Sequence, residues 1–349
     1  RSQDDSARVS RPMKQSNAVL WTIMAVLLIA VFFLSLAAGR FAIEPGAVCD
    51  ILMRAVRGDA GTDMASTVVL ELRLPRTLLA MLIGAGLSLS GAVYQGIFRN
   101  PLVSPDVLGV SSGAGFGAVL GILLWGTGTG TSIMAFVCGM ASVGLAYYFS
   151  RSRGSVSMMS LVLSGIIISS IFSAFISLVK YTADPYDKLP AITYWLMGSL
   201  GKADFDKIQI IGLPMIAAGA LLIAIRWRIN ILSLGEEEAR SLGVNPVRIR
   251  NIAIVAATVL TALSVMACGI VGWVGLVIPH ICRRVVGVDH ARLLPAACFT
   301  GAIFLALVDI CARSLLAAEL PIGILTALLG APFFAFLLKR IREKQGDWS

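Results

Sequence analysis

Long apolar runs separated by short polar breaks fill most of the chain. They fall at 17–38, 76–98, 107–125, 131–150, 156–179, 206–225, 251–270, 271–287, 291–316 and 321–338. A helix of about 17–25 mostly apolar residues crosses the ~30 Å hydrocarbon core of a bilayer, so this pattern predicts an all-α polytopic membrane protein with about ten transmembrane helices. The first run is too long for the core of a signal peptide and is expected to be retained. The eighth is short, rich in glycine and interrupted by Pro279, which predicts a broken or half-length helix. A polar tail over 1–16, one transmembrane domain over 17–342 and a second tail over 343–349 complete the organisation. Because the chain opens on Arg1, its native start is expected to be missing or processed.

Composition supports the bilayer. Of 349 residues, 57% are apolar and 14% charged, against about 25% charged in soluble domains, and the mean hydropathy is +0.84. The net charge of +9 could suggest nucleic acid, but the position of the charges gives another reading. With the N-terminus inside, the breaks on that side hold 19 of the 29 Lys and Arg residues, as the positive-inside rule requires. Both termini are therefore expected in the cytoplasm of a multi-pass inner-membrane protein, with no nucleic-acid partner. The six cysteines form no C-x-x-C pair, and five lie in or beside apolar runs, where they read as small packing residues. Cys49 is a lone thiol outside the membrane.

Gly109, Gly113, Gly117 and Gly121 recur every four residues, which predicts one face of close helix packing. Gly113-Ala-Gly115-Phe-Gly117 lacks the preceding strand and the spacing of a dinucleotide loop, and no phosphate-binding G-x-x-x-x-G-K-[ST] loop occurs. The chain does not hydrolyse ATP by itself. No H-E-x-x-H or G-x-S-x-G motif suggests an intramembrane enzyme, and no metal site is expected. The spans are also nearly free of the mid-membrane ionisable groups that an ion-coupled secondary transporter uses. Asp309 and Arg313 are one helical turn apart, suited either to a structural ion pair or to external docking by the arginine. His280, after Pro279, suits capping or packing more than ligation, since no second histidine is near it. The break at 226–250 contains Glu236, Glu237, Glu238, Ala239, Arg240, Ser241, Leu242 and Gly243. These spell a short helix with acids in its first turn, ended by glycine, and suit either a solvated loop or a lever seated in a soluble partner.

Several stretches together resemble the FecCD-type permeases of binding-protein-dependent ABC importers for iron-siderophores, haem and vitamin B12. They are Arg73-Leu-Pro-Arg76, Gly91-Ala-Val-Tyr-Gln95, Arg99 to Pro105 with Leu108-Gly109, Trp195-Leu-Met-Gly198, and Leu234-Gly235 to Leu242-Gly243. Gly275-Leu-Val-Ile-Pro-His280, Asp289-His290, Leu294-Pro295, Asp309 to Arg313, Glu319-Leu-Pro-Ile-Gly323 and Thr326 to Pro332 follow. Trp273, in Gly272-Trp273-Val-Gly275, stands where many members carry Phe.

The resemblance implies a BtuC-like type II ABC importer permease, acting as a homodimer with two cytoplasmic ATPase subunits and a periplasmic or lipid-anchored substrate-binding protein. The permease would bind no cofactor, with ATP and Mg on the ATPase, and would have no catalytic residue. The cargo would be a metal chelate, a ferric siderophore before haem, cobalamin or an oxyanion; an ion-coupled secondary transporter is the alternative class. Glu236–Gly243 would be the coupling helix on the ATPase, and Arg73, Arg76 and Arg313 would face acids of the binding protein. Family comparison puts a cytoplasmic gate at Ser157, Met158 and Met159. Ser164, Gly165 and Ser169 could line the pathway or pack helices.

Overall fold

A computed structural model describes residues 13–59, 61–152 and 155–346. Residues 1–12 and 347–349 of the two expected tails, and Arg153 of the charge count, lie outside the described residues. The helices run α1 (Met13–Ala37), α2 (Pro45–Val56), α3 (Met64–Thr67), α4 (Leu74–Ile97), α5 (Val110–Trp125), α6 (Thr129–Ser150), α7 (Met158–Thr182) and α8 (Lys188–Met197). They continue α9 (Phe205–Ala224), α10 (Arg226–Leu234), α11 (Glu236–Ser241), α12 (Pro246–Cys268), α13 (Val274–Val286), α14 (His290–Ser314) and α15 (Ile322–Gly346). A π-helical turn at Val68–Arg73 fuses α3 and α4, and a 3-10 turn at Pro105–Leu108 precedes α5. Arg151–Ser152 pairs antiparallel with Ser155–Val156.

Among the described residues, seven helical stretches are long and apolar enough to cross a membrane. The two shorter apolar helices α5 and α15 and the half-length α13 complete the match to the ten apolar runs. Local chemistry sets the boundaries. Asp63, Ser157, Asp204, Asn245 and Asp289 accept backbone N–H bonds at the starts of α3, α7, α9, α12 and α14, where helices carry orphan donors. Pro45 and Pro246 occupy first-turn positions that lack a partner for an N–H anyway. The largest boundary difference from the sequence expectation is at the second span. The second span starts at Met64 rather than 76, in a continuous helix to Ile97, because the π turn absorbs the polar Glu71 and Arg73 without ending it.

The core is built around α4. Within its most apolar window 78% of the residues are buried, against 17% for α7 and 22% for α1, whose outward faces stay apolar. Two backbones approach α4 closely. A Cβ on Gly84 would lie 2.2 Å from the Gly301 carbonyl oxygen of α14, and one on Gly91 would lie 1.8 Å from that of Gly275 in α13. Pro279 helps explain the second contact: it has no N–H for the carbonyl four residues earlier, so the Gly275 oxygen is free to turn into the α4 backbone. Gln95, one turn beyond Gly91, donates to the next carbonyl, Leu276 O, at 3.3 Å. Ser90 and Tyr94 hydrogen-bond to α12 at Thr261 and Thr258 (2.9 and 2.8 Å).

The glycine stripe packs as expected at three of its four positions. Gly113 faces Ser142, Gly117 the Met134 carbonyl and Gly121 Thr131, all on α6. Gly109 lies before α5 with φ 83°, where it ends the 3-10 turn. Trp273 also has a positive φ, 69°, and its ring packs edge-on to Phe334 of α15 with centroids 6.3 Å apart. A Cβ at Gly330 would lie 2.5 Å from Trp273 Cβ.

These approaches predict a contrast between two glycines in long helices. Gly91→Ala is expected to destabilise the protein by ~3 kcal/mol or more through overpacking against backbone. Gly144→Ala, with nothing within 4 Å of its added methyl, is expected to be neutral or stabilising by about 0.5 kcal/mol. Thermal unfolding of the detergent-solubilised variants checks this, and similar midpoints would contradict the packing assignment.

Candidate functional site

Chemistry-bearing side chains gather at the two ends of the bundle. At the end that carries α2, the helix formed by α1 stops with its last carbonyls unpaired. Arg73 reaches two of them, donating to Leu36 O and Ala37 O at 2.8 and 2.9 Å, and also donates to Phe41 O just beyond the helix at 2.5 Å. Arg313 donates to Ala38 O (2.9 Å), to Ser35 O and to Ser35 Oγ (2.8 Å). Two guanidiniums therefore cap one helix C-terminus, where carbonyl dipoles leave partial negative charge.

Between Arg76 and Arg313 lies Asp309, with no exposed side-chain surface. It accepts from Arg76 Nε at 2.8 Å and lies 3.3 Å from Arg313 Nε. Arg76 also donates to both oxygens of the half-exposed Glu319 at 2.9 and 3.1 Å, and Arg40 closes the rim by donating to Leu316 O (2.9 Å) and Ala317 O. Arg40, Arg73, Arg76, Arg313 and Glu319 share the wall of an open basin of ≈ 330 Å³. The three arginines of the docking expectation, Arg73, Arg76 and Arg313, all line this basin. Arg73 and Arg313 are buried with their forks turned onto α1, because its carbonyls need donors. Of the three, Arg76 comes nearest the surface acid. The ion-pair reading of Asp309 and Arg313 holds geometrically.

At the opposite end, Glu236–Ser241 forms the short helix expected. Gly243 follows with φ 76°, and Asn245 Oδ1 accepts from the Arg248 amide at 3.1 Å to start α12. Ala239 is fully buried with Ile231, Leu232 and Ile249. Glu236 accepts from the buried Arg250 of α12 at 2.5 Å and lies 3.8 Å from Arg240. Glu237, Glu238, Arg240, Ser241, Leu242 and Gly243 are exposed, so the helix is anchored on one face and open on the other.

Nearby, Asn230 Oδ1 accepts from both the amide and Nδ1 of His290 at 2.8 Å, which places the ring proton on Nδ1. Burial works against the charge of Asp289, but hydrogen bonds from Asn230 and the Ala291 amide, with Arg292 close, hold its carboxyl below the usual range. Arg283 donates to Gln95. His280 makes no hydrogen bond through either ring nitrogen among the described residues, so it packs rather than caps.

On α7, Ser157 is the N-cap, accepting from the Ser160 amide at 3.1 Å. Met158 packs partly into the core, whereas Met159 is 70% exposed. Ser164 and Gly165 are buried, and a Cβ on Gly165 would sit 2.1 Å from Val107 O. The small size of Gly165 lets the Pro105–Leu108 turn approach α7. Ser169 is half-buried beside Gly109. The outward face of α7 carries Leu163, Ile166, Ile167 and Ser170.

The sequence reading missed three parts of these sites. Glu319 was legible only as part of a motif. Arg250 was counted as a loop charge although it precedes an apolar run by one residue. Asn230 had no signal beyond being polar near the end of a span.

Comparison with known proteins places this geometry in a family. The model of the FecCD transport family matches residues 27–340. The chain is 40% identical over 320 residues to the molybdate import system permease protein MolB of Haemophilus influenzae, covering 92% of this chain and 95% of that one. It is 42% identical over 277 residues to a Helicobacter pylori protein described as a probable iron chelatin transport system permease, covering 79% and 84%. A solved ABC transporter in an inward-facing conformation, described there as of a metal-chelate type, superposes with a TM-score of 0.83 at 39% identity, covering 93% of this chain and 99% of that one. The chain belongs to the FecCD transport family of ABC importer permeases.

Burying Asp309 between two arginines makes a specific prediction. Asp309→Ala leaves Arg76 and Arg313 without their shared carboxylate and is expected to cost ~3–5 kcal/mol, as for other broken buried pairs. Glu319→Gln, at the half-exposed rim, is expected to cost no more than ~1 kcal/mol. Unfolding midpoints in detergent measure both, and equal losses would contradict the layered arrangement.

Proposed function

We propose that this member of the family is the membrane-spanning subunit of an ATP-driven importer that works as a homodimer, moving a metal chelate across the cell membrane by alternating access. In this reading the α11 end faces the cytoplasm, as do both termini, and two ATPase subunits that carry ATP and Mg seat there. A periplasmic or lipid-anchored binding protein docks at the α2 end. The permease makes and breaks no covalent bond.

The observation that carries the reading is α11. A helix of six residues with an exposed acidic and polar face, fixed by Ala239 and by Glu236–Arg250 to the start of the buried span α12, is suited to deliver a partner's movement into the membrane. Docking at the other end is assigned to Arg76 and Glu319, with Arg73 and Arg313 holding the arginine side of the basin in place. Complementary charge there would mainly speed encounter. The gate is assigned to the start of α7, where exposed Met159 could meet its copy across the dimer axis and Ser157 and Met158 hold it. The pathway surface is assigned to the outward face of α7, with Ser169 at its edge.

For the cargo, a ferric siderophore is favoured by the iron chelatin relative and by the metal-chelate transporter that shares this fold. Molybdate is a second reading, favoured by 40% identity to MolB across 92% of the chain. Proteoliposomes holding the permease and its ATPase, with binding protein outside and ATP inside, are expected to accumulate a ferric siderophore from a panel including haem, cobalamin and molybdate. Accumulation of molybdate instead would select the second reading. Accumulation driven by a proton gradient without ATP would overturn the importer class for this chain.

The lever has its own test. Arg250→Ala should release α11 from α12 and lower uptake at least about tenfold, equivalent to ~1.4 kcal/mol, while the ATPase still co-purifies. Arg250→Lys, which keeps a cation for Glu236, should stay within about twofold. Equal uptake by the two variants would remove the role given to the Glu236–Arg250 bond.

A further inference from the structure

Two stretches that the sites above leave without a role, Arg99 and Asp289-His290, meet on α10, which leads into α11 across a single residue, Gly235. Arg99, just beyond α4 with φ 49°, donates through Nη2 to Leu232 O at 3.0 Å. Asn230 reaches the start of α14. Its Oδ1 takes the amide and the Nδ1 proton of His290, each at 2.8 Å, and its Nδ2 donates to Asp289 Oδ1. Ile229, the residue before it, is fully buried. Helix α10 is therefore fixed to the end of α4 and the start of α14, whereas α11 is fixed to α12 through Glu236 and Arg250.

The tie between Asn230 and His290 is not needed by either helix for its own sake. Asp289 already caps α14, its Oδ1 accepting from the Ala291 amide at 2.9 Å. His290 gains one ring hydrogen bond and forgoes another. The residue is 4% exposed, and its Nε2 has no partner among the described residues. That nitrogen rests against the last turn of α4, where a Cβ on Gly96 would lie 2.2 Å from it. An unpartnered buried acceptor costs at least as much as a typical hydrogen bond contributes, so an apolar side chain of similar volume would fill the place with no loss of stability. The histidine is explained by its other nitrogen, which holds Asn230 and through it α10.

We infer that Asn230 and His290 are positioning residues for the coupling of ATP hydrolysis to transport: a second tie through which a movement received by α11 enters α14 and α4, while Glu236–Arg250 carries it into α12. This rests on the reading of α11 as the seat of an ATPase. With both ties closed, a displacement of α11 carries α12, α14 and α4 together, and α14 and α4 are already joined backbone to backbone at Gly84 and Gly301. With the α10 tie open, α12 takes the displacement alone, and its hydroxyl bonds from Thr258 and Thr261 are left to bring α4 along.

Proteoliposomes of the full chain co-purified with its ATPase, with binding protein outside and ATP inside, test this through two quantities measured together: cargo accumulated, with a ferric siderophore and molybdate tried in turn, and ATP hydrolysed. Asn230→Ala leaves Glu236–Arg250 in place and is expected to lower the cargo taken up per ATP at least about fivefold, the lower end of coupling between linked sites. His290→Leu, which fills the space and donates nothing, should lose as much. His290→Asn, whose amide nitrogen can take the place of Nδ1 as donor, should keep the ratio within about twofold. Loss of folded complex lowers both quantities together and leaves their ratio unchanged. An unchanged ratio in Asn230→Ala, whatever its total activity, would therefore overturn the tie, and so would equal ratios for His290→Leu and His290→Asn. Absence of ATP-driven uptake of either cargo by the unmodified complex would instead overturn the seat given to α11, and the tie with it.

Discussion

Backbone-to-backbone contact at two levels along one face of α4 is the constraint from which the rest of the bundle follows. Gly84 and Gly91 are seven residues apart, close to two turns, so they lie near one face of α4 and bring α14 and α13 against it. Lipid gives little hydrophobic reason for helices to associate, and close packing of small residues supplies the contact instead. Helix α13 can begin where it does because its first turn, at Val274–Gly275, rests on α4 and on Pro105. Once it is seated, Gln95 bridges Leu276 O and Arg283, so the motif Gly91 to Gln95 and the motif Gly275 to His280 are two halves of one contact.

A second contact of this kind joins the α2 end. Arg73, Arg76, Asp309, Arg313 and Glu319 come from two distant stretches and form one network with the C-terminus of α1. The order of burial sets the roles. Asp309 is wholly enclosed, so an unpaired charge there would be costly and both neighbours are required to be cationic. Arg73 and Arg313 turn toward carbonyls that lipid could not satisfy. Arg76 alone joins the enclosed acid to an acid at the surface, which makes it the residue through which an outside carboxylate would reach the network. Arginine suits all three places because its planar fork can serve a carboxylate and several carbonyls while remaining charged.

Much of this was legible in the sequence. Ten apolar runs, the half-length eighth span, the close-packed Gly113, Gly117 and Gly121, and the helix Glu236–Ser241 with its glycine stop all follow from periodicity and local punctuation. What was not legible shares a cause. Arg73 and Arg313 looked like surface charges because nothing in their own stretch shows that α1 ends beside them. Ser164 and Gly165 looked equally suited to a pathway or to packing, and the choice depends on the Pro105–Leu108 turn, more than fifty residues earlier. Helix α2 lies in a polar break, and only its contact with Leu36, Ile43 and Val69 makes Val48 and Ile51 a buried face. Local signals fix elements; long-range contacts fix what a polar side chain in them does.

The same contacts bear on how a push at one end could be felt at the other. Helix α12 is a single element of 23 residues, about 35 Å long, with Arg250 in its first turns tied to α11 and Cys268 at its far end. There the Cys268 carbonyl accepts from the Ser199 amide at 2.7 Å, and the Gly198 carbonyl just before it accepts from the Ile322 amide at the start of α15 at 3.0 Å. Along its length Thr258 and Thr261 bond α4. A displacement of α11 therefore cannot be absorbed at a loop before reaching α12, since Glu236 and Ala239 hold α11 to α12 and to α10. It must either shift α12 against α4, breaking hydroxyl bonds in a dry core, or move α12 and α4 together and strain the turn at Gly198. Breaking two buried hydroxyl pairs costs on the order of 2 kcal/mol or more, whereas the Gly198 turn can rearrange by a few backbone angles. Moving α12 and α4 as one body is thus the lower-energy response, with the compliance placed at the junction of α8 and α15.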